Sequence, residues 1–230
     1  MIAIYKKSWA CLIGNWLFYA VFAAVLTITP LVLPKIPATV FLVPQIIVAY
    51  YIHRHFLFDE ALSLGKPRST PARPMKFGWF TVVSLLTILV PVGLSVAAAL
   101  TIAPGKISED KPVFVGLFLI LLFPLYLIAL SFFGTALPAA VERGATGYAL
   151  SKGFRLGFGV MGRLVLGPGV NGLCGLLLVF GLDYLVPSSR TAQVILDFVA
   201  TAIGLFTTTL AVAVLCDAYR KIVPLPTPTI

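Results

Sequence analysis

The chain has 230 residues, 60% of them hydrophobic and 11% charged, with a mean hydropathy of +1.03. A soluble domain carries roughly 25% charge, so a water-solvated globular fold is excluded and little length remains for one beside the apolar runs. The net charge of +9 must then lie mostly at the ends of membrane-embedded segments.

A hydrocarbon core about 30 Å thick takes about 20 apolar residues per helix. Six such runs follow one another, at about 9–33, 38–57, 78–103, 112–137, 164–186 and 194–219. They are read from their charged and proline-containing borders, because a lipid-embedded helix is apolar on nearly every face. The expected fold is all-α: a single transmembrane domain over residues 1–230, a bundle of six transmembrane helices with an interfacial amphipathic segment at about 139–163 before the fifth span.

Lys6 and Lys7 precede the first run as the n-region of a secretory signal would. A signal's apolar region covers roughly 7 to 15 residues, whereas this run continues to about Leu33, so it is expected to stay as a membrane helix. The second run ends in His53, Arg54 and His55. Positions two apart on a helix point in different directions, so the histidines read as a span end at headgroup level and not as metal ligands. The following "DEALSLGKPRSTPARPMKFG" holds Pro67, Pro71 and Pro74 with four cations and reads as an extended basic linker.

Pro44, Pro91 and Pro124 fall within the second, third and fourth runs, and Gly167, Pro168 and Gly169 near the start of the fifth. Such residues either kink membrane helices or open them around a substrate. Gly169, Gly172 and Gly175 recur every three residues and leave a bare face on which another helix can pack closely. The deeper polar residues are neutral: Asn15, Gln45 and Asn171. They either bond helix to helix or line a cavity. Asp183, Asp197 and Asp217 lie near span ends, and Asp217 has Arg220 and Lys221 three and four residues on. Cys11, Cys174 and Cys216 are spread over three runs without metal-ligand spacing. They are expected to pack, and no metal or cofactor is expected.

Between the fourth and fifth runs lies "AAVERGATGYALSKGFRLGFGVMGRLV", residues 139–165, basic and rich in glycine. On a helical wheel Lys152, Arg155 and Arg163 share one arc, and Leu150, Phe154, Phe158 and Met161 the opposite one, each about 80° wide. The pattern suits a helix, in one piece or two, lying at a membrane surface with its phenylalanines toward acyl chains and its cations toward lipid phosphate. Its glycines each weaken a helix by up to about 1 kcal/mol relative to alanine.

Cytoplasmic flanks carry an excess of Lys and Arg. With six spans only Lys35, Lys106, Lys111 and Arg190 fall opposite the N-terminal side, and the other 13 of the 17 Lys and Arg fall on it. Both termini and the two longer loops are therefore expected in the cytoplasm, on a face that attracts anionic phospholipid.

The segment "ALPAAVERGATGYALSKGFRLGFGVMGRL" resembles one shared by bacterial six-span proteins of the YciC-like group and the membrane domain of glycerophosphoryl diester phosphodiesterases. The similarity rests on Pro138, Glu142, Gly144, Ala149, Ser151, Arg155 and Leu156. The closing "LCDAYRKI", with Tyr219, Arg220 and Lys221, is also similar to that group's final helix. The resemblance implies a six-span architecture in a bacterial inner membrane. In the phosphodiesterase relatives the chemistry belongs to a separate domain after the membrane part, and this chain is expected to lack it, ending about ten residues past its last run.

Nothing in the residues restores an enzyme: no loop acid pair, no Ser-His-Asp set and no phosphate-binding glycine loop after a strand. Nucleic acid is not an expected partner of either loop. Two classes of function remain. One is a non-catalytic scaffold or accessory subunit that holds anionic phospholipids and a membrane-protein partner or second copy, with Lys152, Phe154, Arg155, Phe158 and Arg163 as its contact residues. The alternative is a small transporter or lipid-handling protein whose cavity is lined by Asn15, Gln45 and Asn171.

Overall fold

In lipid, each backbone N–H and C=O must find its partner within its own segment, and helices achieve this locally. The structure, a computed structural model, describes residues 1–33, 35, 42–62, 76–102, 111–142, 146–185 and 189–223. Among them are nine α-helices and no strand: α1 (Ile2–Gly14), α2 (Trp16–Val32), α3 (Leu42–Phe58), α4 (Phe77–Ile102), α5 (Lys111–Phe133), α6 (Ala136–Glu142), α7 (Thr146–Leu164), α8 (Val170–Leu185) and α9 (Arg190–Ile222). A π turn, Val165–Gly169, joins α7 to α8.

Four helical runs, 77–102, 116–133, 148–182 and 190–222, are long and apolar enough to cross a membrane, and α1 with α2 makes a fifth if that bent pair counts as one span. The chain is a multi-pass membrane protein of all-α class. Its exposed residues include Ile120, Phe123, Leu177 and Phe180, side chains that acyl chains solvate and water does not.

The first apolar run differs from the straight span expected at 9–33. It is two helices meeting at 80°, and the corner is Asn15, with φ −128° and ψ 30°. Its Nδ2 donates to the Cys11 carbonyl at 2.8 Å, and its Oδ1 accepts the Leu62 N–H at 3.0 Å. A short amide side chain that bonds neighbouring backbone competes with the helix ladder, and Gly14 before it adds no resistance.

The segment expected at the interface is in two pieces, one of the two forms that the sequence allowed. Residues 136–142 and 146–164 are two helices, and the second is followed by the π turn and α8 without a non-helical residue between them. Pro168 has no N–H, which widens the helical register locally. Pro91 and Pro124, by contrast, lie inside unbroken helices, and Pro44 sits in the first turn of α3, where the N–H has no intrahelical use.

The chain divides into two compact units, one of residues 1–75 and 163–217, the other of 76–162 and 218–230. In the first, Tyr19 and Thr209 hydroxyls join α2 to α9 at 2.9 Å, and Thr27 donates to Thr201 at 3.3 Å. The Asn171 amide donates to Thr207 at 2.7 Å and joins α8 to α9. In the second, α4 packs on α5 and α6, and the Thr135 hydroxyl donates to the Ala149 carbonyl of α7 at 3.1 Å.

Replacing Asn15 with Ala removes both of its backbone bonds and leaves the Leu62 N–H unsatisfied. We expect a loss of about 1 to 3 kcal/mol, seen as a lower thermal-unfolding midpoint in detergent. An unchanged midpoint would mean that the corner does not depend on the amide.

Candidate contact surface and its polar supports

The glycines of α7 look like weaknesses in one dimension and are contacts in three. Ala149, Gly153, Gly157, Val160 and Leu164 are buried and recur at three or four residues, so they form one edge of the helix. A Cβ at Gly153 would overlap the Thr135 hydroxyl, and one at Gly157 would overlap the Phe132 ring. The absent side chains let α7 lie close against the end of α5. Phe132 then lies with its ring tilted 47° to Phe154 at 4.9 Å and edge-on to Phe158 at 5.4 Å.

Once this edge is packed, the remaining surface of α7 is both apolar and basic. Phe154 and Phe158 are 57% and 74% exposed, and Lys152 and Arg155 are exposed with them. The Lys152 ammonium lies 5.9 Å from the Tyr148 ring centre. Arg163 is placed differently: its Nη1 donates to Asp217 Oδ2 at 2.5 Å, a half-exposed ion pair that ties the end of α7 to α9.

Gly172 and Gly175 face α9, where a Cβ would lie 3.7 Å from Thr207 at the first and overlap Ile203 at the second. Gly169 is buried in the π turn. Of the three amides, Asn15 serves the α1–α2 corner and Asn171 bonds Thr207, while Gln45 is exposed on α3. These three are not brought to one place by any bond between them. Asp197 is exposed, and the side chain of Asp183 lies outside the described residues, as do 63–75 of the basic linker.

Three polar supports were not paired by sequence reasoning, although Arg54, Glu142 and Tyr219 were named in it. Arg54, expected at headgroup level, is 1% exposed. Its Nε and Nη2 both donate to the Glu60 carboxylate at 2.7 Å, and its guanidinium lies 5.3 Å from the Phe58 ring centre. The reach of six residues requires the chain to reverse after α3, and Asp59 does so at φ 54°, a left-handed conformation that Asp tolerates better than most residues. The signal was the short span from "HRH" to "FDE", legible only if that reversal is assumed. Secondly, the Tyr219 hydroxyl donates to the Glu142 carboxylate, and Lys76 Nζ donates to the Glu142 carbonyl at 3.4 Å. Thirdly, the Tyr5 hydroxyl donates to the carbonyls of Gly167 at 3.0 Å and Leu166 at 3.4 Å, at the π turn.

The arrangement holds helices together and presents a mixed apolar and basic face. Among the described residues no group of three or more His, Cys, Asp or Glu is placed to hold a metal ion. Compared with protein-family models, with curated proteins and with solved structures, the chain matches none.

The glycines of α7 should respond to alanine with opposite signs. Gly153→Ala and Gly157→Ala drive a methyl into Thr135 and Phe132 respectively and should cost about 1 to 3 kcal/mol. Gly162, with open space around its Cα, should gain up to about 1 kcal/mol from the same change through helix propensity. Unfolding midpoints of the three variants in one detergent check this; equal shifts would contradict the close approach.

Proposed function

We propose that this protein is a non-catalytic scaffold or accessory subunit of a bacterial inner membrane, working by lipid and protein contacts. The observation that supports this reading best is the surface left on α7 after its small-residue edge is packed: exposed Phe154 and Phe158 beside exposed Lys152 and Arg155. Aromatic rings at a membrane boundary with cations beside them suit anionic headgroups over acyl chains. Arg163 is left to its pair with Asp217 and takes a supporting part.

The proposed topology has six spans, α2, α3, α4, α5, the run 148–182 and α9, with both termini in the cytoplasm as the Lys and Arg distribution favours. α2 and α3, with 17 residues each, are at the short end of what crosses a bilayer. The similarity to YciC-like proteins fits this topology, and Glu142 and Tyr219, which carry part of it, bond to each other. The carrier alternative needs Asn15, Gln45 and Asn171 turned toward a lumen, and two of these amides are engaged in structural bonds.

The test is gentle solubilisation from the native membrane followed by mass spectrometry of what stays bound. The expected result is a stoichiometric protein partner or second copy together with anionic phospholipid. The lipid should fall about tenfold or more in the double variant Lys152→Gln and Arg155→Gln, at about 1 kcal/mol for each charge. Solute uptake by the protein reconstituted alone, abolished by Asn171→Ala, would overturn the reading in favour of a carrier.

A further inference from the structure

We infer that α1 is a membrane-surface helix, lying in the cytoplasmic headgroup layer and bound to anionic lipid, and is not part of the first span. The inference does not depend on whether the protein is a scaffold or a carrier. It starts from the 80° angle between α1 and α2. A 13-residue helix is about 20 Å long, so in line with an upright α2 it would carry Ile2 about 20 Å away from Trp16 along the normal. At 80° the same helix changes depth by about 3 Å, and its whole length shares one layer.

The sides of α1 agree with that placement. At about 100° per residue, the buried Ser8 marks the side against the rest of its unit. Ile2, Trp9 and Ile13 fall about 100 to 140° round from it in one column, and Lys7 about 100° round the other way. The three apolar residues are 75%, 55% and 54% exposed, and Trp16 at the start of α2 is exposed beside them. Lys6 and Lys7 are exposed as well. Lys6 falls at about 160°, so an apolar column at about 100 to 140° that holds Trp9 adjoins an arc from about 160° to 260° that holds both cations. Tryptophan collects at the membrane–water interface, and an in-plane helix meets acyl chains on one flank and phosphate on the other.

The corner is built from several contacts. Asn15 bonds the end of α1 to Leu62, and Tyr5 bonds the carbonyls of the π turn. Trp9 meets Phe206 edge-on at 5.8 Å, and the Lys7 ammonium lies 5.2 Å from the Phe56 ring centre. The π turn gains a role from this: its Leu166 and Gly167 carbonyls accept the Tyr5 hydroxyl of the helix that lies on the surface.

The experiment is depth-dependent fluorescence quenching in bilayers containing phosphatidylglycerol brominated either near the headgroup or near the chain end. The chain has three tryptophans, so each of Trp9, Trp16 and Trp79 is changed to Phe, and a single Trp is placed in turn at positions 2, 9 and 13. All three positions should be quenched about twofold more by the shallow bromines than by the deep ones, as a helix at the acyl boundary requires. A Trp at position 2 that no bromine quenches would put α1 out in water and overturn the inference. So would strongest quenching by the chain-end bromines, which would make α1 part of a broken span. Should the tryptophan-free background fail to fold, the unaltered protein is labelled with a phospholipid carrying a headgroup-level photoactivatable diazirine. Adducts on residues 2–13 support the inference, and their absence from that peptide overturns it.

Discussion

A polar group inside a bilayer has no water to bond, so each one must find a partner within the protein, and the form of this molecule follows from where those partners are. Thr81, Thr87, Thr207 and Thr208 return their hydroxyls to the carbonyl four residues back. Tyr19 reaches Thr209, and Asn171 reaches Thr207, contacts worth about 0.6 to 2 kcal/mol each. The departures from straight helix obey the same rule. Asn15 stands at the break in the first run, and its amide bonds the Cys11 carbonyl, which also accepts the Asn15 N–H, and the Leu62 N–H beyond α3. Pro168 disturbs the helix at 165–169, and Tyr5 supplies a donor to carbonyls there.

Charge is handled in the same way. Arg54 is buried with a two-pronged partner in Glu60 and an aromatic ring over its face. Such a pair contributes little net stability when intact, but removing one member is costly because the other stays buried and charged. Its structural effect is to fold the chain after α3 back on itself, which places Leu62 where its N–H can meet Asn15. The ion pair and the helix corner are therefore neighbours in one small arrangement of residues 11 to 62. Close packing supplies the rest: Gly153, Gly157 and Gly175 stand where a methyl group would overlap a neighbouring helix, and apolar helices in lipid have packing rather than water exclusion to hold them together.

Much of the helical organisation was legible in the sequence because a membrane imposes it. Runs bounded by charge and proline correspond to α4, α5 and α9 within a few residues. The corner at Asn15 was not legible, since no proline marks it and a lone Asn in an apolar run reads equally as a helix-to-helix bond. Pro91 and Pro124 look like breaks and are not, because a membrane helix re-satisfies the carbonyl that a proline leaves. The glycines of α7 were weighed as lost helix propensity, a local quantity, whereas their contacts with Thr135 and Phe132 are long-range. The burial of Arg54 and its pairing with Glu60 were not legible because they depend on the left-handed turn at Asp59, which no glycine announces.

The central claim is that the deep polar side chains are committed to one another and do not border a water-filled path. Thiol accessibility tests this most directly. With Cys11, Cys174 and Cys216 replaced by Ala, single cysteines are introduced at Asn171, Thr207 and Thr209 and treated in native membranes with a water-soluble maleimide. The account predicts no modification at any of the three until the membrane is dissolved and the protein denatured. Rapid labelling of Asn171→Cys or Thr207→Cys in intact membranes would contradict it and point to an aqueous pathway between α8 and α9.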